Sequence, residues 1–202
     1  MRLPPPPALH QPVLSFVAAL SIATCPLTTF PALAATPTTD ELQKLSAGLA
    51  RVDYLLDNWD SLTTACTGVS AGGELEDAQV MRTQGQTRCF KTPLKVQKYI
   101  GASSTLDPLF KADKLMIRAQ PLVPDDDSEA YADAVDSYIT KQQISSTMAY
   151  TSSWSGIENP NGSVGQIEDN LLEAKKEVIA TRDSLRTVVQ LLKLPSAPAF
   201  RE

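Results

Sequence analysis

The chain has almost no histidine and very little cysteine. Its one histidine, His10, and one of its three cysteines, Cys25, lie in a leader that we expect to be removed. Without histidine the remaining chain cannot form a Ser-His-Asp or Cys-His catalytic arrangement, a histidine zinc site or a haem site with an axial histidine. No glycine loop of the phosphate-binding types occurs either. We therefore predict a protein that is not an enzyme and that has no catalytic residues, no metal site and no cofactor.

The first 34 residues have the layout of a cleavable signal segment. Met1 and Arg2 lead through a proline run to the apolar stretch Val13–Ala23, which precedes the small-x-small sequence Ala32-Leu33-Ala34. An apolar stretch of 11 residues is too short to stay in a membrane as a spanning helix. The sequence predicts a signal segment over residues 1–34 and one exported domain over residues 35–202, with a frayed tail from about residue 195.

Two cysteines, Cys66 and Cys89, remain after that cleavage. In an oxidising compartment such a pair predicts a single disulfide. Two unpaired thiols are the alternative, because two sulfurs are too few for an all-cysteine zinc site. The bridge would close a loop of about two dozen residues and stabilise the fold by roughly 3 kcal/mol.

Apolar residues recur at helical spacing at both ends of the domain. The first stripe is Leu42, Leu45, Leu49, Val52, Leu56 and Trp59, and the last is Val164, Ile167, Leu171, Ala174, Val178, Leu185, Val188 and Leu192. Weaker patterns predict a broken helical arm over residues 91–118 and a third helix from about residue 128 to 148 or 150. No alternating pattern indicates a strand. We predict an all-α fold, an up-down four-helix bundle with a disulfide-stapled loop between the first and second helices.

Four local features sharpen this prediction. Thr39 is a candidate N-cap of the first helix, which we expect to run to about Ala65, and Ser163 is a candidate N-cap of the last. Gly48 would allow a neighbouring element to approach closely. Trp59 and Trp154 are expected to pack in the core or at a hinge.

Basic residues are concentrated between Val80 and Arg118. They are Arg82, Arg88, Lys91, Lys95, Lys98, Lys111, Lys114 and Arg118. With Asp107 and Asp113 the segment carries a net charge of +6, which leaves −12 on the rest of the chain after residue 34. We predict a docking surface for an acidic partner. The alternative is a solvated face paired with an acidic ridge on the first helix, Asp53, Asp57 and Asp60.

A nucleic-acid partner is not expected, because the protein is acidic overall and the basic segment has no interleaved aromatic residues. Paired carboxylates in an apolar setting, which could perform acid–base catalysis, are also not evident.

Three sequence blocks carry a resemblance to a family. The first block is Tyr54-Leu55-Leu56-Asp57-Asn58-Trp59-Asp60 with Thr63-Thr64-Ala65-Cys66. The second is Asp107-Pro108-Leu109-Phe110-Lys111-Ala112, and the third is Ser152-Ser153-Trp154 with Asn159-Pro160. Together they resemble the small thylakoid-lumen proteins of algae with red-lineage plastids, from about Tyr54 to Leu192. That family includes the diatom extrinsic subunit of photosystem II and has the general build of the PsbQ-like four-helix bundles.

The resemblance implies a function and a place in the cell. Such proteins bind photosystem II membrane subunits and other extrinsic proteins on the lumenal face, and they help the oxygen-evolving centre retain calcium and chloride. The protein would be peripheral on the thylakoid membrane of the chloroplast, without spanning it, and the leader would be a thylakoid-transfer segment. That leader has room for one apolar region only, which departs from the longer targeting of complex plastids. The alternative function is an exported or lumenal helical module that binds a pigment or a lipid between its helices.

Overall fold

Helices form most of the chain in the computed structural model, which describes residues 35–66, 89–155 and 162–202. The helices are α1 (Thr39–Asp57), α2 (Trp59–Leu62), α3 (Lys95–Tyr99), α4 (Ala112–Ala119), α5 (Ser128–Trp154) and α6 (Val164–Leu191). The strands are β1 (Thr64–Cys66) and β2 (Cys89–Lys91), and two 3₁₀ turns, Gln120–Leu122 and Asp125–Asp127, join α4 to α5. All described residues belong to the compact unit Ala34–Glu202.

The first helix begins with a capping box one residue earlier than expected. Thr38, not Thr39, is the N-cap: its Oγ1 accepts a hydrogen bond from the N–H of Glu41 at 3.3 Å. The carboxylate of Glu41 in turn accepts from the N–H of Thr38 at 2.8 Å. This reciprocal pair satisfies two of the otherwise unpaired donors of the first turn, which favours Thr38 over its neighbour.

The first helix also ends earlier than the predicted Ala65. Asn58 leaves the helical region with φ −113°, and both its backbone N–H and its side-chain amide donate to the carbonyl of Tyr54. A side chain that competes for a backbone acceptor in this way interrupts a helix. The chain resumes with the single turn α2, in which Trp59 is buried as expected.

The disulfide prediction is confirmed, and the prediction of a fold without strands is wrong. Cys66 and Cys89 are bridged. Strands β1 and β2 pair antiparallel, with Cys66 opposite Cys89 and Thr64 opposite Lys91. The bridge holds the two segments side by side, so their backbones pair although their side chains carry no strand pattern. The long loop predicted between them lies outside the described residues.

The predicted helical arm is two short helices separated by an irregular stretch. Gly101 ends α3 with φ 80°, and Lys111 has φ 55° directly before α4. Both values lie in the left-handed region, where a helix cannot continue. Oδ1 of Asp107 accepts from the N–H of Leu109 at 2.8 Å, in a turn that does not continue as a helix because Lys111 is left-handed.

Two long helices, α5 and α6, form a hairpin that packs along most of its length. Helix α5 runs past the predicted end to Trp154, and Ser163 caps α6 as predicted by accepting from the N–H of Gln166 at 3.1 Å. Trp154 is 65% exposed, so the expectation of core packing is wrong for this residue. The residues that follow, with Asn159-Pro160 of the third resemblance block, lie mostly outside the described residues.

The core lies between α1, the 89–123 segment and the hairpin. Its largest fully buried side chains include Leu45, Leu55 and Met116. Leu49 and Leu56, which the predicted stripe placed in the core, are half-buried, and Leu55 takes their place.

The C-terminal tail, for which we expected fraying from about residue 195, lies against the core. Phe200 packs edge-on against Tyr54, with ring centroids 5.2 Å apart. Tyr99 donates a hydrogen bond from its hydroxyl to Glu202 at 2.6 Å. An aromatic side chain near the end of the chain therefore binds the tail to α1 and α3.

Candidate functional site

Six of the eight predicted docking residues lie among the described residues. Lys91 is on β2, Lys95 and Lys98 are on α3, Lys111 directly precedes α4, and Lys114 and Arg118 are on α4. Arg82 and Arg88 lie outside the described residues. From residue 89 to 119 the chain carries six basic and two acidic side chains, a net charge of +4.

Helices α3 and α4 each pack against both α1 and α5. The basic residues on α3 and those on α4 are therefore held by the same two helices. At α3, Arg51 of α1 donates to the carbonyl of Lys98 at 2.9 Å, and Gln97 donates to the carbonyl of Ser146 of α5 at 3.1 Å. At α4, Tyr131 of α5 donates to the carbonyl of Met116 at 2.8 Å. The basic segment thus follows α1 and α5 along its length.

The lysines of the basic segment differ in solvent exposure. Lys111 and Lys114 are exposed, whereas Lys95 and Lys98 are half-buried. The ammonium of Lys111 lies 5.0 Å from the ring centroid of Phe110, a cation–π contact. Lys91 is half-buried and donates to Oγ1 of Thr64 at 3.3 Å, across the small sheet. Among the described basic residues of the segment, the most accessible positive charges are therefore those of Lys111 and Lys114, at the start of α4.

Arg118 is engaged within the protein. Its guanidinium lies 2.6 Å from a carboxylate oxygen of Glu41 and donates to the carbonyl of Ala35 at 3.3 Å. The hydrogen bond from Arg118, with that from the Thr38 backbone, lowers the pKa of Glu41 to about 2. Arg118 consequently holds the beginning of α1 against the end of α4, and its charge is balanced by Glu41.

One residue of the predicted acidic ridge, Asp53, pairs with α6 and not with the basic segment. Asp53 lies 3.1 Å from Arg186 and 3.9 Å from Arg182, both on α6. Asp57 and Asp60 are exposed. The α6 arginines therefore supply the charge that balances Asp53, and the α4 lysines do not.

A buried ion pair positions the turn that presents Lys111. Arg51 lies 3.3 Å from Asp107, whose side chain is 1% exposed. Burial raises the pKa of Asp107 above its ordinary value, while the bond from Leu109 and the charge of Arg51 oppose that shift. The guanidinium of Arg51 also stacks over the rings of Tyr99 and Phe200.

The sequence analysis did not identify Arg51 as part of the site, although the positions of its neighbours indicate that its face of α1 is buried. It stands three residues after Gly48 and four before Leu55, so a charged residue lies on a face whose neighbours are buried. Gly48 does permit the predicted close approach, because a Cβ there would overlap Cδ2 of Leu109. Together the two positions seat the 107–109 turn on α1.

Clefts among the described residues include two that are lined in part by residues of the basic segment. One, of about 220 Å³, lies between the start of α4 and α5 and is lined in part by Lys111, Asp113 and Gln142. The other, of about 280 Å³, lies near Trp59, where Asp60, Glu168, Asp169, Lys91 and Lys175 surround it. Both are smaller than a typical ligand pocket and carry charged groups, which suits a pigment or lipid poorly.

Two absences within the described ranges bear on the site. In residues 35–66, 89–155 and 162–202, no three or more acidic, cysteine or histidine side chains come together as metal ligands could. Over the same ranges, every helix is too short or too polar to cross a membrane.

Comparison of the chain with protein-family models, with curated proteins and with solved structures finds no match.

Proposed function

We propose that this protein is an extrinsic, non-catalytic subunit on the lumenal face of photosystem II. It docks through its basic segment on acidic surfaces of the membrane subunits and neighbouring extrinsic proteins. By covering the oxygen-evolving centre it helps retain calcium and chloride there. The proposal joins the sequence resemblance to the charge of the 89–119 segment, and it places the mature protein in the thylakoid lumen.

One observation carries the electrostatic part of the proposal. Arg186 of α6 neutralises Asp53, so Asp53 does not neutralise Lys111 or Lys114. These two exposed lysines can therefore bind another molecule. Exposed lysines steer an acidic partner and fix its orientation, even where each contributes little to affinity. Lys95, Lys111 and Lys114 are the residues to which we assign docking, and Arg118 is a positioning residue.

We also propose that the helices form an up-down four-helix bundle in which α3 and α4 together replace the second member. The packing of the helices supports this arrangement: α1 packs on α6, α6 packs on α5, and both α3 and α4 pack on α1 and α5. A bundle with one broken member offers a rigid platform on which the basic segment is held in register.

Reconstitution on salt-washed photosystem II membranes tests the function. The unsubstituted chain is compared with Lys95→Glu/Lys111→Glu/Lys114→Glu and with the matched control Lys44→Glu/Lys176→Glu/Lys193→Glu, which changes the net charge equally. At about 0.5 kcal/mol for each surface contact, the first variant should bind roughly tenfold more weakly than the control. Bound protein and light-driven oxygen evolution are the two measurements.

The outcomes separate the two candidate functions. Binding that falls as salt rises, with oxygen evolution restored by the unsubstituted chain and the control, supports the extrinsic subunit. Equal loss in both variants would contradict docking through the basic segment. Absence of binding by every form, together with an absorbing or extractable ligand in the purified protein, would favour the module that binds a pigment or lipid.

A further inference from the structure

Large apolar side chains are exposed to solvent beside two exposed lysines, Lys111 and Lys114. Leu106 is 93% exposed, Ile117 is 56% exposed and Phe110 is 38% exposed. With Lys111 and Lys114 they form what we call the α4 edge, defined by Leu106, Phe110, Lys111, Lys114 and Ile117. An apolar residue as exposed as Leu106 has no packing role in the folded chain.

The buried side of α4 fixes which side chains face outward. Ala112, Leu115, Met116 and Ala119 are buried against the rest of the core. Lys114 and Ile117 are three residues apart and share the opposite face of the helix. The hydrogen bond from Tyr131 to the carbonyl of Met116 holds the helix in this rotation. Ile117 therefore cannot turn inward without breaking the core.

Negative charge is largely withdrawn from the α4 edge. Asp107 lies between Leu106 and Phe110 in the sequence, but its side chain is 1% exposed and faces Arg51. The preceding residues 102–105 are uncharged, and Asp113 is half-buried. The acidic run Asp125–Asp127 begins only after Pro124, beyond the edge. The exposed charge among the apolar side chains is thus mainly that of Lys111 and Lys114.

We propose that the α4 edge binds the surface of a lipid bilayer that contains anionic lipid. Leu106 and Phe110 would enter the boundary between head groups and acyl chains, while the two lysine ammonium groups reach the lipid phosphates. Leu106 stands out from the surface, which suits insertion between lipids better than the flat, packed core of a protein interface. The proposal goes beyond the proposed function, since it requires a bilayer and no photosystem.

The contact should be weak and charge-dependent. Each basic residue close to an anionic bilayer strengthens binding, so reversing both lysines should weaken partitioning by about 30-fold or more. A neutral bilayer should bind the edge correspondingly less well. Rising salt should release it, because the lysines are screened within a Debye length.

A local reporter separates this contact from any binding by the leader's apolar stretch. In the full chain, Leu106→Trp is compared with Val164→Trp, which replaces an exposed residue at the start of α6. Each is mixed with vesicles of phosphatidylcholine alone or with phosphatidylglycerol, containing lipids brominated on the acyl chains. Tryptophan quenching and the emission maximum are measured, with the unsubstituted chain providing the background of Trp59 and Trp154.

Quenching and a blue shift at position 106, but not at 164, on phosphatidylglycerol vesicles are expected. Adding Lys111→Glu/Lys114→Glu should remove them, whereas Lys44→Glu/Lys193→Glu should not. Equal quenching at both positions, or quenching unchanged on neutral vesicles, would overturn the proposal. Absence of quenching at 106 on either vesicle, combined with photosystem membranes that shift its emission, would assign the edge to a protein contact and leave the proposed function intact.

Discussion

The α5–α6 hairpin and the 89–123 segment pack in the same domain, but they are held in different ways. The hairpin joins two helices of 27 and 28 residues through many small contacts. Ser145 and Thr181 share a hydrogen bond of 3.3 Å in its interior, and Ser152 donates to the carbonyl of Ile167 at 2.8 Å. The 89–123 segment has helices of five and eight residues, with left-handed residues at their ends.

The difference shows where single residues decide the structure. In the hairpin, backbone hydrogen bonds and distributed packing would survive the loss of any one side chain. In the 89–123 segment, the path of the chain depends on one ion pair and on glycines that admit Leu109. The segment that carries the exposed lysines is therefore the one whose geometry is most sensitive to substitution.

The largest effect is expected from Arg51→Ala. Removing one partner of a buried ion pair leaves Asp107 uncompensated, and we expect a loss of about 3 kcal/mol in the free energy of unfolding at neutral pH. The hairpin control is Lys141→Ala, which breaks the more exposed pair with Glu177 at 3.1 Å and should cost under about 1 kcal/mol. Urea denaturation measures both.

The same variant should change the pH dependence of stability. Burial raises the pKa of Asp107 in the folded protein, so the folded state takes up a proton more readily than the unfolded state. Stability should then increase as pH falls through the folded pKa toward the ordinary value of 3.8, and more so without Arg51. A cost of Arg51→Ala that does not shrink on acidification would contradict this account.

Gly101→Ala tests the backbone of the same segment. Gly101 has φ 80°, and a Cβ there would lie 2.5 Å from the carbonyl oxygen of Leu109, which is backbone and cannot rotate away. We expect a cost of about 2 kcal/mol. In the hairpin, Gly165→Ala meets only Oγ of Ser163 at 3.9 Å and should be neutral or stabilising by up to about 1 kcal/mol. Thermal unfolding followed by circular dichroism measures both, and equal costs would contradict the contrast.

A smaller effect is expected from Phe200→Ala. Its ring contacts Tyr54 and the guanidinium of Arg51, so its loss should release the tail and cost about 1–2 kcal/mol. Tyr150→Ala, in the hairpin, removes an aromatic residue that is 52% exposed and should cost less than about 0.5 kcal/mol. Amide hydrogen exchange should show faster exchange around Tyr99 in the first variant only. Unchanged exchange there would mean that Phe200 does not hold the tail.

The smallest effect is expected from Glu41→Gln. Glutamine keeps the capping hydrogen bond but loses the charge that faces Arg118. Since Arg118 holds the pKa of Glu41 at about 2, below its ordinary 4.5, the wild-type protein has this stabilisation above pH 4.5 and loses it as pH falls toward 2. Denaturation midpoints between pH 5 and 2 should therefore fall less steeply in the variant. An identical slope in both proteins would exclude the ion pair as a contributor.

Local chemistry predicted much of the helical structure. The cap at Ser163, the burial of Trp59 and the close approach at Gly48 are confirmed, since each depends on a residue and its near neighbours. The disulfide was predicted because only two cysteines remained beyond the leader. The N-cap was one residue off, because Thr38 and Thr39 are chemically alike and only Glu41 distinguishes them.

Several features could not be read from the sequence. The strands beside the disulfide have no strand pattern, and the exposure of Trp154 depends on which elements reach the far end of α5. The ion pairs of the candidate site could not be predicted from the sequence either. Its lysines were visible in the sequence, but the pairing of Arg118 with Glu41 and of Asp53 with α6 joins residues far apart in the chain.

The sequence by itself determined the helical content, the single bridge between Cys66 and Cys89, and the concentration of positive charge before residue 119. Each is a local property of spacing or composition. Only the tertiary structure decided which charges remain open, because neutralisation depends on distance in space. It placed Asp107 against Arg51 and left Leu106 and the neighbouring lysines in solvent, since the core accepts just one face of α4.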